Sequence, residues 1–425
     1  MHAGTRLSIL VQKLKSSSNL KFKIMKKLSI LLVIILAGVA ALTSCEKGAQ
    51  LYDVTITVYY PEGYGANIAT GVAVVVQNTI SGQDFNLVTN SLGLAAISLE
   101  EGMYKISATQ ETSDFYLNGI TENLTVQPSG VNNWDLHLVA TSKKGGLIFK
   151  EIYYTGSKTE SGSSYYSDQF HEIYNNSDEV IYLDGLCIGL TLPLGSTATT
   201  WVNPDGSIMD RIPTTFHALM FPGTGQQYPL QPRTSVVLAM DAIDHKTDPL
   251  GNPLSPVNLA NAQFETFIEA PGKDTDAPQA ANLIVMYTTA ASMYDWLHSV
   301  FGQGVILYRL PTGLDWQTFV ANTDNFMTQP GSTSTTKYLM VHKDWVIDGV
   351  ECNRPEEDKR FKRLPTSVDA GMTWSMATYN SKSVRRKAEK ILDGKVIYKD
   401  SNNSTNDFIK DLDPTPFVHP ATVDL

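Results

Sequence analysis

"GGLIFKEIYYTGS", residues 145–157, and "YYSDQFHEIYNNSDEVIYLDGLCI", residues 165–188, decide how the chain folds. In the first, Ile148, Lys150, Ile152 and Tyr154 alternate with Phe149, Glu151 and Tyr153. In the second, Phe170, Glu172 and Tyr174 alternate with His171 and Ile173. A repeat of two belongs to the β-strand, whose successive side chains point to opposite faces. A polar loop separates the two stretches. They read as strands rich in aromatic residues that open a β-domain.

The stretch N-terminal to this pair carries the same signal. "DVTITVYY" alternates Val54, Ile56 and Val58 with Thr55 and Thr57. "VAVVVQNT", "LAAISL", "MYKISATQ", "NLTVQP" and "NWDLHLVA" follow at the spacing of an all-β sandwich. Gly71, Gly82, Gly93, Gly102 and Gly119 punctuate them as turns. Residues 51–140 therefore predict one small β-sandwich, and residues 145–420 a second, larger one. The fold class expected is mainly β, with two Ig-like sandwiches and a short helix among the insertions of the second. That helix is placed in "AASMYDWLHSVFG", where Met293, Trp296, Leu297 and Val300 have helical spacing and Gly302 ends the turn.

Two family resemblances follow from these residues. "TNSLGLAAISLEEGMYKISA", through Thr89, Asn90, Gly93, Gly102 and Tyr104, resembles the prealbumin or carboxypeptidase-regulatory fold. That resemblance implies an Ig-like spacer or docking module and no catalysis. The larger region resembles the bacterial lamin-tail domain. Glu151, Ile152 and Tyr153 fall in its opening strand. Asp168, Phe170, Glu172, Ile173, Tyr174, Asn175, Ser177, Val180, Leu183 and Gly185 follow its second phrase. "YPLQPRTSVVLAMD" is similar to a later strand, with Arg233 where the family has Gly. "GVILYR", "WVIDGVE" (Asp348, Val350), "SVRRK" and "NNSTNDF" with "PTP" complete the order.

Two clusters offer chemistry. Glu151 and Glu172 on neighbouring strands read as a glycosidase-like carboxylate pair, or as structural carboxylates satisfied by backbone amides. Asp241, Asp244, His245 and Asp248 follow a strand in "MDAIDHKTDPLGNP". Oxygen ligands in a loop suit Ca²⁺, and one His admits a transition metal. The spacing is not that of an EF-hand, so the loop reads as an ordinary acidic turn with an Asp cap. No GxSxG, HExxH, P-loop or strand-following GxGxxG occurs, and no catalytic residue, metal site or cofactor is assigned. Cys187 and Cys352 form one disulfide or are two small buried hydrophobes.

The N-terminal segment gives the expected location. From Met25, "MKKLSILLVIILAGVAALTSC" runs from a positive front through an apolar core to Leu42, Thr43, Ser44 and Cys45. That order resembles the signal peptide and lipobox of bacterial lipoproteins. The apolar stretch is short for a membrane span, which needs about 20 residues. The expected organisation is an upstream extension over 1–24, a signal peptide over 25–44 and a lipidated linker over 45–50, with Cys45 carrying the lipid. Glu46 and Lys47 resemble the export signal of Bacteroidetes-type surface lipoproteins. The protein is thus expected at the outer membrane, lipid-anchored, with its body at the cell surface.

Hydrophobic residues make up 42% of the 425, enough to bury a core in each sandwich. The formal charge is −10, and removing the first 45 residues, with seven bases and no acid, leaves −17. Such a body repels nucleic acid and anionic lipid. The basic runs "DKRFKR" at 358–363 and "RRK" at 385–387 read as solvated faces. The function expected is a ligand- or partner-binding accessory, with a TonB-dependent transporter as candidate partner. A surface hydrolase and an adhesive protein are the alternatives.

Overall fold

The computed structural model describes residues 50–424 except 63, 129, 144, 271 and 272. Cys45 and the whole signal segment lie outside the described residues. The chain is mainly β. Its contacts divide it into two compact units, the smaller holding, of the described residues, 50–54, Ile97–Gly102 and Thr125–Asn132. In that unit Ser98 Oγ donates to Asp53 Oδ1 at 2.8 Å. The Asn132 side chain bonds the Gln127 backbone and closes the turn between them.

The N-terminal sheets are of three strands (Leu94–Glu100, Leu51–Tyr59, Asn132–His137, in that order) and five (Asp84–Val88, Ala73–Asn78, Gly102–Glu111, Phe115–Val126, Val139–Ser142). The expected alternation is observed. Val54, Ile56 and Val58 are buried, and the threonines between them are only partly so.

The remaining chain forms two large sheets. One runs Ala281–Asn282, Phe264–Glu265, Ser235–Ala239, Phe170–Asn175, Leu147–Tyr153, Ser383–Arg386, Phe408–Leu412. The other runs Phe326–Thr328, Lys337–His342, Arg211–Met220, Cys187–Thr191, Gln303–Tyr308, Val346–Asn353, Thr373–Trp374, with Ile284–Thr288 also paired to Arg211–Met220. Their facing sides share one core, in which Phe149, Ile152, Ile173, Leu238 and Val384 of the first meet Ile188, Leu190, Leu219, Val305, Leu307 and Val350 of the second.

The outer face of the first sheet is covered in three zones. Tyr153, Phe170, Val237 and Ala239 pack with Ala242, Val257, Leu259, Ala262, Ala277 and Ala280. Ile148 and Tyr174 lie under the hairpin Ala388–Leu392 and Lys395–Tyr398, through Ala388, Val396 and Tyr398. Between the two zones the same face carries charge.

That charge comes from a break in the alternation. Glu172 opposes Glu151, but the next residue, Ile173, opposes Phe149, so Lys150 has no partner across the ladder. A bulge of this kind turns two successive side chains to one side. Leu147, Phe149, Ile152 and Tyr154 face the core. Ile148, Lys150, Glu151 and Tyr153 face outward, which corrects the strict alternation expected of this strand.

The helix expected at 290–302 is not formed. The segment is turns and extended chain, held by bonds that a helix would need for itself. His298 N donates to Gln169 Oε1 at 3.0 Å, and Gln169 Nε2 returns a bond to His298 O at 2.8 Å. Trp296 Nε1 donates to His217 O at 2.9 Å. The short helix of the insertions is instead Trp316–Ala321, capped by Asp315 and packed through Phe319 on the outer face of the second sheet.

Candidate functional site

The structure brings Glu151 and Glu172 together as cross-strand neighbours and then closes them off. Both are fully buried. Glu172 pairs with Lys150 Nζ at 2.8 Å and accepts from Ser235 Oγ at 2.6 Å and Phe417 N at 3.2 Å. Glu151 accepts from Ser383 Oγ at 2.6 Å and Thr415 N at 2.9 Å. Lys150 Nζ donates to Val418 O at 2.6 Å. The partners from 415–418 are mostly backbone atoms of the C-terminal tail. Burial raises the Glu172 pKa, and Lys150 opposes that shift. With every carboxylate oxygen engaged and no access to water, this pair is a latch that holds the tail.

The phrases that resembled the lamin-tail domain meet in a second buried network. Arg386 donates to Asp348 Oδ1 at 2.7 Å, Asp407 Oδ2 at 3.2 Å and Phe149 O at 2.9 Å. Asp348 Oδ2 accepts from Phe149 N at 2.6 Å. Asp407 accepts from the backbone and hydroxyl of Ser401. Burial pushes Asp348 up to about 7, with Arg386 pulling it back. In the sequence these residues stand in separate phrases. Their convergence rests on strands far apart in the chain, for which sequence spacing carries no signal.

His245 in the acidic loop is buried, with Nδ1 at 2.8 Å from Tyr165 OH and Nε2 at 3.1 Å from Asp241 O. Burial lowers it to about 4. Asp244 accepts from Lys246 N, and Asp248 from Leu250 N, so each caps the loop. Burial, then Asp274, Asp295 and Glu265, raise Asp241 to about 8. Among the described residues no group of three or more His, Cys, Asp or Glu is placed to hold a metal ion.

Cys187 and Cys352 are free and buried. They sit two strands apart in the second sheet, on opposite faces. Two strand spacings are about 10 Å, beyond the reach of a disulfide.

The open polar site lies elsewhere. A groove of about 120 Å³ is lined by Tyr116, Lys143, Asn176, Arg233, Glu389, Lys390, Tyr398 and Asp400 among others. Tyr116 OH donates to Glu389 Oε1 at 2.6 Å, and Asn118 Nδ2 donates to Ser401 O. Lys143 pairs with Glu111 and lies 4.5 Å over the Tyr116 ring. Burial and Glu389 push the Tyr116 phenol up. Asn176 ties the floor, donating to Tyr398 O at 2.8 Å and accepting from Tyr398 N at 2.9 Å.

Arg233 stands at the rim of this groove with φ +57°. A side chain in the left-handed region costs roughly 1–2 kcal/mol, which accounts for the Gly expected there by resemblance. Arg233 retains the conformation because its guanidinium reaches Asp178 Oδ1 at 3.1 Å and Asn176 O. Strain held at a groove rim is the pattern found at functional sites. The Gly-to-Arg departure was legible in the sequence, but the groove was not.

Residues 231–415 match the family described as "Protein of unknown function (DUF4876)". A crystal structure of a DUF4876 family protein from Bacteroides thetaiotaomicron VPI-5482 is similar at 27% identity, covering 86% of this chain and 98% of that one, with a TM-score of 0.58. A DUF3823 family protein from Parabacteroides merdae ATCC 43184 is 9% identical over 45% of this chain and 82% of that one, with a TM-score of 0.17 that supports no argument. No curated protein matches the chain. Among the described residues no helix is long and apolar enough to cross a membrane. Residues 231–415 thus match the DUF4876 family model, and the chain is similar in fold to a solved DUF4876 family protein.

Proposed function

We propose that this protein is a lipid-anchored envelope protein that binds a ligand or partner, and that the groove at Tyr116, Arg233 and Glu389 is where it does so. One observation carries the binding reading. Side chains of both charges face this open groove around the strained Arg233, whereas the paired carboxylates and His245 are sealed. A hydrolase would need residues other than Glu151, Glu172 and His245.

The order of positive front, apolar core and lipobox ending at Cys45 supports the anchor, and in this reading a diacylglycerol thioether on Cys45 would hold the body at the outer membrane. In this reading the prealbumin-like sandwich is the spacer and lends Tyr116 to the groove, and the lamin-tail-like sandwich supplies Arg233 and Glu389. A TonB-dependent transporter is the proposed partner. The anchor is tested by acyl labelling and fractionation. Wild type takes label and pellets with membranes, and Cys45→Ser does neither. Equal labelling of the two removes the anchor. The groove is tested by co-purification from detergent-solubilised membranes. Arg233→Ala is expected to lose a TonB-dependent transporter that wild type retains. A transporter held equally by both, or by neither, removes the groove as the docking site.

A further inference from the structure

We infer that the charged strip of Lys150, Glu151 and Glu172 is a docking groove for an extended peptide. Residues 413–424 of the same chain fill it as a strap, and the strap of a second copy of this chain is its other occupant. None of the three strip residues lines the groove at Arg233.

The strip addresses a main chain. Thr415 N donates to Glu151 Oε1 at 2.9 Å, and Phe417 N to Glu172 Oε2 at 3.2 Å. Lys150 Nζ donates to Thr415 O at 3.5 Å and Val418 O at 2.6 Å. Pro414 and Pro416 alternate with the two residues whose amides are used. A proline has no N–H, so none is stranded between the two carboxylates. Side chains set the register. Phe417 packs against the cluster that holds Tyr153 and Phe170. The His419 ring lies 5.2 Å from the Tyr174 ring, and its Nδ1 3.1 Å from Tyr398 OH. Asp424 pairs with Arg385 at 2.8 Å, and its backbone N donates to Ala388 O at 2.9 Å.

Apart from these polar bonds the strap is weakly held. Val418 is 57% exposed and Val423 49%. Of its apolar side chains only Pro414 is fully buried. An element with so little apolar burial opens at low cost. Phe417 has φ +68°, a region that a residue with a Cβ rarely adopts. The closed strap also keeps two carboxylates and an ammonium from water, a desolvation that their attraction offsets only in part. Opening releases the strain and hydrates the charges.

The pattern selects the occupant. A peptide that replaces the strap must offer two amides at alternate residues, prolines before each, and an aromatic, a His and an Asp at fixed offsets. A second copy of this chain offers all of them. Exchange of straps keeps every bond described here, which makes it a low-cost route to a dimer. The strap leaves the strand Phe408–Leu412 at Asp413, which is exposed and pairs with Lys382 at 2.6 Å. That residue is the hinge.

The test is fluorescence anisotropy of the full chain with a labelled synthetic peptide of residues 413–424. Phe417→Pro in the protein breaks the strap, because proline cannot adopt φ +68° and has no N–H. That variant is expected to bind the peptide at least about tenfold more tightly than wild type, whose own strap competes. Asp424→Ala, which loosens the far end of the strap, gives the same direction should Phe417→Pro fail to fold. A peptide N-methylated at residues 415 and 417 is expected to lose this binding. In a second arm, two wild-type chains with different tags are concentrated together in detergent. Affinity capture and sedimentation are expected to show mixed dimers, which excess peptide disperses. Equal peptide affinity in wild type and both variants, or undiminished binding of the N-methylated peptide, overturns the groove. Absence of mixed dimers, or dimers that the peptide leaves intact, overturns the second copy as its occupant.

Discussion

Glu151 and Glu172 face each other directly across two paired strands, and Lys150 reaches both from the bulge, 3.8 Å and 2.8 Å from their carboxylates. Neither acid can be read without that base. Lys150→Met leaves two carboxylates buried without a counter-charge, a change that costs about 3–5 kcal/mol. Urea unfolding followed by circular dichroism is expected to show that loss. Glu151→Gln and Glu172→Gln added to Lys150→Met are expected to recover much of it. A single variant as stable as wild type would remove the latch.

Stability is expected to fall as pH rises from about 6.5 to 8.5. Burial raises Asp241 to about 8, Glu265 to about 7 and Asp295 to about 6. Asp348 and Asp407 shift the same way. A carboxyl raised on folding contributes stability below its unfolded pKa and loses it as pH climbs through the folded value. His245 and His298, lowered to about 4 by burial, act oppositely and only below about 6.5. Asp241→Asn should raise Tm more at pH 8.5 than at pH 5, because the unfolded carboxyl already ionises above about 3.9 while the folded one holds its proton up to about 8. Calorimetry at both values decides, and an equal shift at both would exclude Asp241 as the source.

Gly251→Ala is expected to destabilise through one contact. A Cβ there would lie 2.2 Å from His245 O, a backbone atom that cannot turn away. Gly146→Ala, with nothing within 4 Å, is the control. Melting temperatures of the pair should separate by several degrees, and matched values would mean the 245–251 turn yields freely.

Cys187 and Cys352 should be silent to Ellman's reagent in the folded protein and react in denaturant without reductant. Burial pushes the Cys187 thiol up to about 12 and Cys352 well above its usual value. Thiolate is the reactive form. Two thiols that stay hidden after unfolding, until reductant is added, would mean a disulfide.

Strands were legible because a half-buried strand writes its period directly into the chain, as Val54, Ile56 and Val58 do. The bulge at Lys150 was not, since an extra residue resets the period and only the partner strand reveals it. The 290–302 segment misled because Met293, Trp296, Leu297 and Val300 fit a helix locally. The competing bonds come from Gln169 and His217, far away in sequence. For the site, the acids and basic runs were visible as residue types. Which of them turned inward depended on tertiary partners such as Asp348 for Arg386 and Glu351 for Arg363.

The strand Leu147–Tyr153 lies between Phe170–Asn175 and Ser383–Arg386, so one of its neighbours is translated more than two hundred residues after it. Until that neighbour arrives, one edge of the strand stays open and its acids lack Ser383 and Thr415. Closure over so long a loop is slow. A nascent chain that waits this long keeps its first large sheet unfinished until its last strands have been made.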